Sequence, residues 1–284
     1  DNTAVGYLAL SAQVAGASQN TAIGFKAGTA NTSGGGLTAV GRQAAEANTT
    51  GAENTVLGSL ALQNNTVGNK SVAIGRLALQ DQNYGTSTDA FNVAVGFEAG
   101  KSVTTGIYNT FVGGDAGKLL TDADSNVAVG TFALDKDELG SKTTAIGYGA
   151  LSSQDFTTAT NSHNVAVGFH TGVTLTTGVQ NTLIGSEAGD SITTGTTNTA
   201  VGYASLGANQ TGINNACMGS SALAAVTADG NTAVGHAAGS GISSGQYNTA
   251  IGLVAMTGHT YTGNFNTSIG YNANPTAATS AGQF

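Results

Sequence analysis

The chain has 284 residues, 43 of them glycine, with only 8% charged, a formal charge of −8, one proline and no tryptophan. That balance gives no electrostatic footprint for nucleic acid or anionic membrane, and the single thiol, Cys217, excludes an intrachain disulfide. No apolar run approaches the roughly 18 to 20 residues of a membrane-spanning helix, and no charged segment leads into an apolar one at the start as a secretory signal would.

The first element is Asn2-Thr3-Ala4-Val5-Gly6, and it recurs. Its glycine returns as Gly24, Gly41, Gly58, Gly75, Gly96, Gly113, Gly130, Gly147, Gly168, Gly185, Gly202, Gly219, Gly235, Gly252 and Gly270, making 16 copies, most of them 17 residues apart. A fixed period of this size marks stacked supersecondary units, so one elongated repeat array replaces the one or two globular domains that the length would suggest. Positions are numbered here from each glycine. Position −1 is Val, Ile, Leu or Met in every copy, −2 is Ala in 11, −3 is Thr or Val in all but Ala216, and −4 is Asn in 13. None of these positions carries a charge. Position +3 is Ala in 14 copies, and +4 alternates between Leu-like residues and Gly.

Thr-Ala-Val before a glycine is too short for a helix and rich in β-branched residues, so it predicts a short strand. The glycine supplies a bend, a second short strand carries the +3 Ala, and a second turn falls at −7, where Gly34, Gly51, Gly68, Gly106, Gly140, Gly178, Gly195, Gly212, Gly245 and Gly263 recur. The expected fold is an all-β parallel β-roll or β-solenoid of about 16 coils. At about 4.8 Å per coil it would run roughly 75 Å. Successive strand residues face opposite ways. With the −1 aliphatics filling the interior, the −2 alanines would form an outer stripe that packs against other copies of the chain. The Asn column fits a ladder of turn-stabilising side chains; a row of oxygens for ions or sugars is the functional alternative.

Further along, Gly24, Gly96 and Gly168 stand 72 residues apart, which predicts duplication of four-coil blocks. Two steps are four residues longer than the common 17, in 80–91 and 152–163, and insertions in solenoids go to loops, often on the binding face. They place Tyr84 and Phe156 at equivalent positions, beside Gln80, Asp81, Gln82, Asn83 and Thr86 in one loop and Gln154, Asp155, Thr157 and Thr158 in the other. An aromatic face among amides, hydroxyls and a carboxylate suits a sugar ring, so Tyr84, Asp81, Asn83, Phe156, Asp155 and Gln154 are candidate receptor or glycan contacts. The alternative is that each aromatic folds back over its own loop. The repeat array is expected over 1–272, with an exit segment over 273–284, as part of a longer chain.

Repeats of the form Asn-Ser/Thr-Val/Ala-Ile/Val-Gly resemble the head repeats of trimeric autotransporter adhesins. The longer signatures Asn20-Thr21-Ala22-Ile23-Gly24-Phe25-Lys26-Ala27-Gly28 and Thr143-Thr144-Ala145-Ile146-Gly147-Tyr148-Gly149-Ala150-Leu151 look more like bacteriophage tail-fibre repeats. The stretch from Ile269 to Thr279 resembles the region where such fibres lead into a self-cleaving chaperone domain. The resemblance implies a left-handed β-roll packed as a homotrimer, an extracellular or virion location (a bacterial surface, for an adhesin), and a host-cell glycan or protein as partner. The 17-residue step and Cys217 depart from the adhesin pattern.

Nothing in the sequence assembles a catalytic or cofactor site. His163, His170, His236 and His259 occupy unrelated repeat positions. Asp122-Ala123-Asp124 and Asp135-Lys136-Asp137-Glu138 lack the repeated pattern of calcium-binding β-rolls and fit solvated loops. Glycine-rich stretches lack the Lys-Ser/Thr of a phosphate loop, and Cys217 fits a small packed hydrophobe. The sequence thus predicts a non-enzymatic fibre or adhesin segment without cofactor or metal. An ice-binding solenoid is the alternative from the −3 Thr column, opposed by Val72, Val93, Val127 and Val165 and by a face shared with buried −1 residues. A polysaccharide-cleaving enzyme would need a carboxylate pair in a groove, and none stands out.

Overall fold

The computed structural model describes residues 1–14, 16–275 and 282; most of the expected exit segment therefore lies outside the described residues. The chain divides into two compact units, Asp1–Lys142 with Phe156–Thr160, and Thr143–Asp155 with Asn161–Phe284. The first holds the parallel strands Thr3–Val5, Thr21–Ile23, Thr38–Val40, Thr55–Leu57, Val72–Ile74, Val93–Val95, Thr110–Val112 and Val127–Val129, paired in chain order. The second holds Thr144–Ile146, Val165–Val167, Thr182–Ile184, Thr199–Val201, Ala216–Met218, Thr232–Val234, Thr249–Ile251 and Thr267–Ile269, paired likewise. Register is residue on residue: Ala145 stands opposite Ala166, and Thr199 opposite Ala216. The fold is an all-β parallel β-solenoid of about 16 turns.

Each coil has one three-residue strand where two strands were expected. Residues +1 to +6 are a turn instead, as over 25–30. The reason lies in the backbone: +2 and +4 are both left-handed, with φ of 63° at Leu60 and 46° at Leu62 in one coil, and a strand needs negative φ throughout. Two-residue strands occur besides, Gly68–Asn69 pairing with Thr88–Asp89.

The strand also faces the other way from the sequence expectation. Every −2 residue from Ala22 to Ser268 is buried, whereas −1 residues such as Ile23, Leu57, Ile146 and Ile251 are exposed. The interior is narrow, and small residues at −2 and +3 let opposite walls approach. Where −2 is large the neighbours shrink. A Cβ on Gly100 or Gly117 would overlap the Phe111 ring, and one on Gly172 or Gly189 would stand 2.9 Å from a Leu183 methyl.

A second exchange of volume links +4 to +7. Gly100, Gly117, Gly172, Gly189 and Gly239 are followed three residues later by buried Val103, Leu120, Leu175, Ile192 and Ile242. Leu62, Leu79, Leu134, Leu151 and Leu206 are followed by buried Asn65, Gln82, Asp137, Gln154 and Asn209. Leu223 with buried Val226, and Gly28 with buried Asn31, depart from this pairing. Asp137 is therefore not part of a solvated loop. It is fully buried in a position that Asn occupies elsewhere, and its Oδ1 accepts hydrogen bonds from Gly140 N at 3.0 Å and Phe156 N at 3.1 Å.

The −4 Asn column staples coil to coil. Asn164 Oδ1 accepts from Asn181 N at 2.9 Å, and Asn164 Nδ2 donates to Gly178 O at 2.8 Å, both in the next coil. Asn181 repeats the pattern on Asn198 N at 3.0 Å and Gly195 O at 2.9 Å. The amide is consumed by backbone, which accounts for the column as structure. Asn181→Ala leaves a buried N–H and a buried carbonyl short of a partner. At about 1–3 kcal/mol per orphaned group, the urea midpoint should fall markedly, and Asn181→Asp should recover only part of the loss.

Candidate contact face and loops

The arrangement that remains after packing is an outward face built from −3 and −1. Its threonines and valines at −3 are exposed or half-exposed, and the −1 column beside them includes Val5, Ile23, Leu57, Val112, Ile184, Val234 and Ile269, all exposed. The face carries no charge in any coil. Next to it, +1 aromatics add apolar area: Tyr7 stacks on Phe25 at 5.5 Å between ring centroids, and Tyr148 on Phe169 at 5.6 Å. His170 lies against the same rings, 4.0 Å from Phe169.

One coil interrupts the face. At Ala216 the Thr or Val of −3 is missing, and a shallow notch of about 140 Å³ opens, lined by Thr199, Val201, Ala216, Cys217, Met218, Thr232, Ala233 and Val234. Met218, the one sulfur-bearing side chain in the −1 column, is 57% exposed beside it. Cys217 points inward, and burial pushes its thiol up to about 12; it is a packed small residue, not a nucleophile poised for reaction.

The two long steps do not present their aromatics to solvent. Tyr84 is 6% exposed and Phe156 5%. Their rings lie on the −7 glycines: a Cβ on Gly68 would be 2.7 Å from Tyr84 Cδ2, and one on Gly140 would be 2.8 Å from Phe156 Cδ2. Tyr84 Oη donates to Gly106 O at 2.8 Å, and burial raises its pKa. Gln82 closes a buried network with Ser71 and Asn92, at 2.9 Å to each. Gln154 is buried likewise, with Thr143 at 3.1 Å and Asn164 at 2.9 Å. Of the candidate contacts, Asn83 and Asp155 are exposed and Asp81 half-exposed, and Asp81 Oδ1 and Asn83 Oδ1 accept from Asn64 Nδ2 and Thr66 Oγ1 of the preceding coil. The loops therefore offer polar edges without a ring face.

The exposed ring of the first long step is Phe91, which the sequence reading passed over. It stacks on Tyr108 at 6.0 Å, with Lys70 Nζ 5.2 Å from its centroid and Lys70 paired to Asp89 at 2.6 Å. Lys70, Phe91 and Tyr108 share position −5, a left-handed turn position. The signal that could have found them is the spacing of Lys70, Phe91 and Tyr108 from their glycines.

A cluster of cations gathers on Glu98. Lys118 holds the Glu98 carboxyl below the usual range through a 2.8 Å contact, with Lys101 and Arg76 farther out. Among the described residues no group of three or more His, Cys, Asp or Glu could hold a metal ion, and no helix is long and apolar enough to cross a membrane. No family model matches the chain, and no curated protein matches it.

Proposed function

We propose that the chain is a structural and adhesive segment of a homotrimeric fibre, of the kind resembled by phage tail-fibre repeats, which carries a recognition surface to a cell. The observation that supports this reading is the uncharged, apolar −3/−1 face repeated in every coil. An uncharged face that carries an apolar −1 stripe along each unit is unusual on a monomer surface. A chain of formal charge −8 meets a second copy with least repulsion where neither carries charge. Three-residue strands are about 10 Å wide, and eight coils about 38 Å long. Each unit's face therefore supplies about 380 Å² of projected area. Copies would thus meet through −1 and −3, not through the −2 alanines. A trimeric autotransporter head is the same architecture with a different anchor, and the remainder of the gene separates the two.

Receptor contact, in this reading, belongs to what differs between coils: the polar edges Asp81, Asn83 and Asp155, and the rings of Phe91 and Tyr108. Trimming both long steps to 17 residues should abolish binding to host cells or to a glycan array. Full binding by a trimmed trimer would make this segment a spacer.

One observation favours a second reading. The −3 threonines are on the outer face with the −1 aliphatics, so the burial that opposed an ice-binding array does not apply. The four valines and Ala216 still break the Thr row. Thermal hysteresis from a monomer with this face free would select ice binding over the fibre.

A further inference from the structure

We propose that Met218 of one copy seats in the Ala216 notch of the next copy, so that this coil fixes the axial register of the assembly. The inference rests on the fibre reading and adds to it the residues that align the copies.

The geometry begins with a ring. In a closed cyclic assembly of parallel chains the interface is heterologous: the patch on one side of a copy meets a different patch on the next. A strand that lies across the ring axis then brings its C-terminal end, position −1, against the N-terminal end, position −3, of its neighbour at the same height. In 15 of the 16 coils that pairing joins a Val, Ile or Leu to a Thr or Val. In the remaining coil it joins the longest −1 residue, Met218, to the smallest −3 residue, Ala216. The volume removed at Ala216 and the volume added at Met218 occur at one level, which is where a ring in register needs them and where a shifted ring would not use them.

The notch is a fit for that occupant. Its walls are the apolar groups of Val201, Val234, the flanking threonines and the base of Met218 itself, about 140 Å³ in all. Methionine is unbranched and adapts to an irregular apolar gap. Met218 is 57% exposed, so its side chain is not consumed by its own coil. One copy slipped by a coil against its neighbours would set Met218 against Thr199 or Thr232, where a threonine stands in place of the small Ala216, and leave Ala216 facing Val201 or Val234. The similar −1 and −3 columns of the other coils do little to forbid such a slip, because each coil closely resembles its neighbour.

Sedimentation of the purified chain tests this. Ala216→Thr restores the residue common in that column, so the coil should still fold, but it fills the notch; the dissociation constant of the assembly should rise at least tenfold. Ala216→Thr with Met218→Val should recover parental affinity, because the pair then reads like Thr199/Val201 and Thr232/Val234. An unchanged constant for Ala216→Thr, or no recovery in the double variant, overturns the lock while leaving the fibre reading intact. A monomeric parent overturns both. A covalent test is independent of affinity. In a Cys217→Ala background, Ala216→Cys with Met218→Cys should give a disulfide-closed trimer on mild oxidation. The two positions within one strand are too far apart for their own bridge, which needs Cβ atoms about 3.5–4.5 Å apart. Covalent dimers alone would indicate a two-fold pair and overturn the proposal.

Discussion

Ala145→Asp should leave no folded protein. Ala145 is fully buried at −2 and stands opposite Ala166 in the next coil. The buried −2 column supplies no cation to a carboxylate there, and an unpaired buried charge costs several kcal/mol even after relaxation. The added atoms also overfill a wall sized for a methyl group. Circular dichroism should show loss of strand signal. The neighbouring change, Ile146→Asp, should have the opposite character. Ile146 is exposed on the outer face, so the coil should fold with a near-parental spectrum while assembly weakens. If Ala145→Asp folded and only dissociated, the strand would be facing the way its sequence alone suggested.

Gly147→Val should be strongly destabilising, as at the other motif glycines. Gly147 has φ of 134°, outside the range of side chains with a Cβ. A Cβ there would stand 2.6 Å from Gly168 C, in the backbone of the next coil, where no side chain can give way. Backbone strain alone contributes about 1–3 kcal/mol, and forcing two coils apart adds packing and hydrogen-bond losses, for about 4 kcal/mol or more in total. Denaturant unfolding measures it. A parental midpoint would mean that the bend is made elsewhere in the coil.

The period, the parallel stacking and the requirement for the glycine were legible because each rests on one residue type at one spacing. The facing of the strand was not. Both sides of Thr-Ala-Val are small or apolar, so alternation alone cannot choose the interior. The deciding signal was size compensation: Phe111 and Leu183 at −2 fall where Gly100, Gly117, Gly172 and Gly189 stand at +4. Such pairing is expected of residues that touch inside a wall, not of residues on a free surface. The pairing of +4 with +7, Gly with Leu120 or Leu with Gln154, was present in the same columns. The loops failed differently. Tyr84 and Phe156 recur because Gly68 and Gly140 recur beneath them, and a sequence repeat looks the same whether a ring covers a glycine or awaits a sugar. Asp137 likewise sits in a charged run, yet its position in the coil is that of buried Asn31, Asn48 and Asn65.

The fibre account stands or falls on what the −3/−1 face touches in solution. Sedimentation equilibrium of the chain at micromolar concentration measures this directly. The account predicts a single species of about three times the 27.8 kDa chain mass, reduced to the monomer mass by Ile146→Asp without loss of strand signal. A well-folded parent at 27.8 kDa across the concentration range would contradict it.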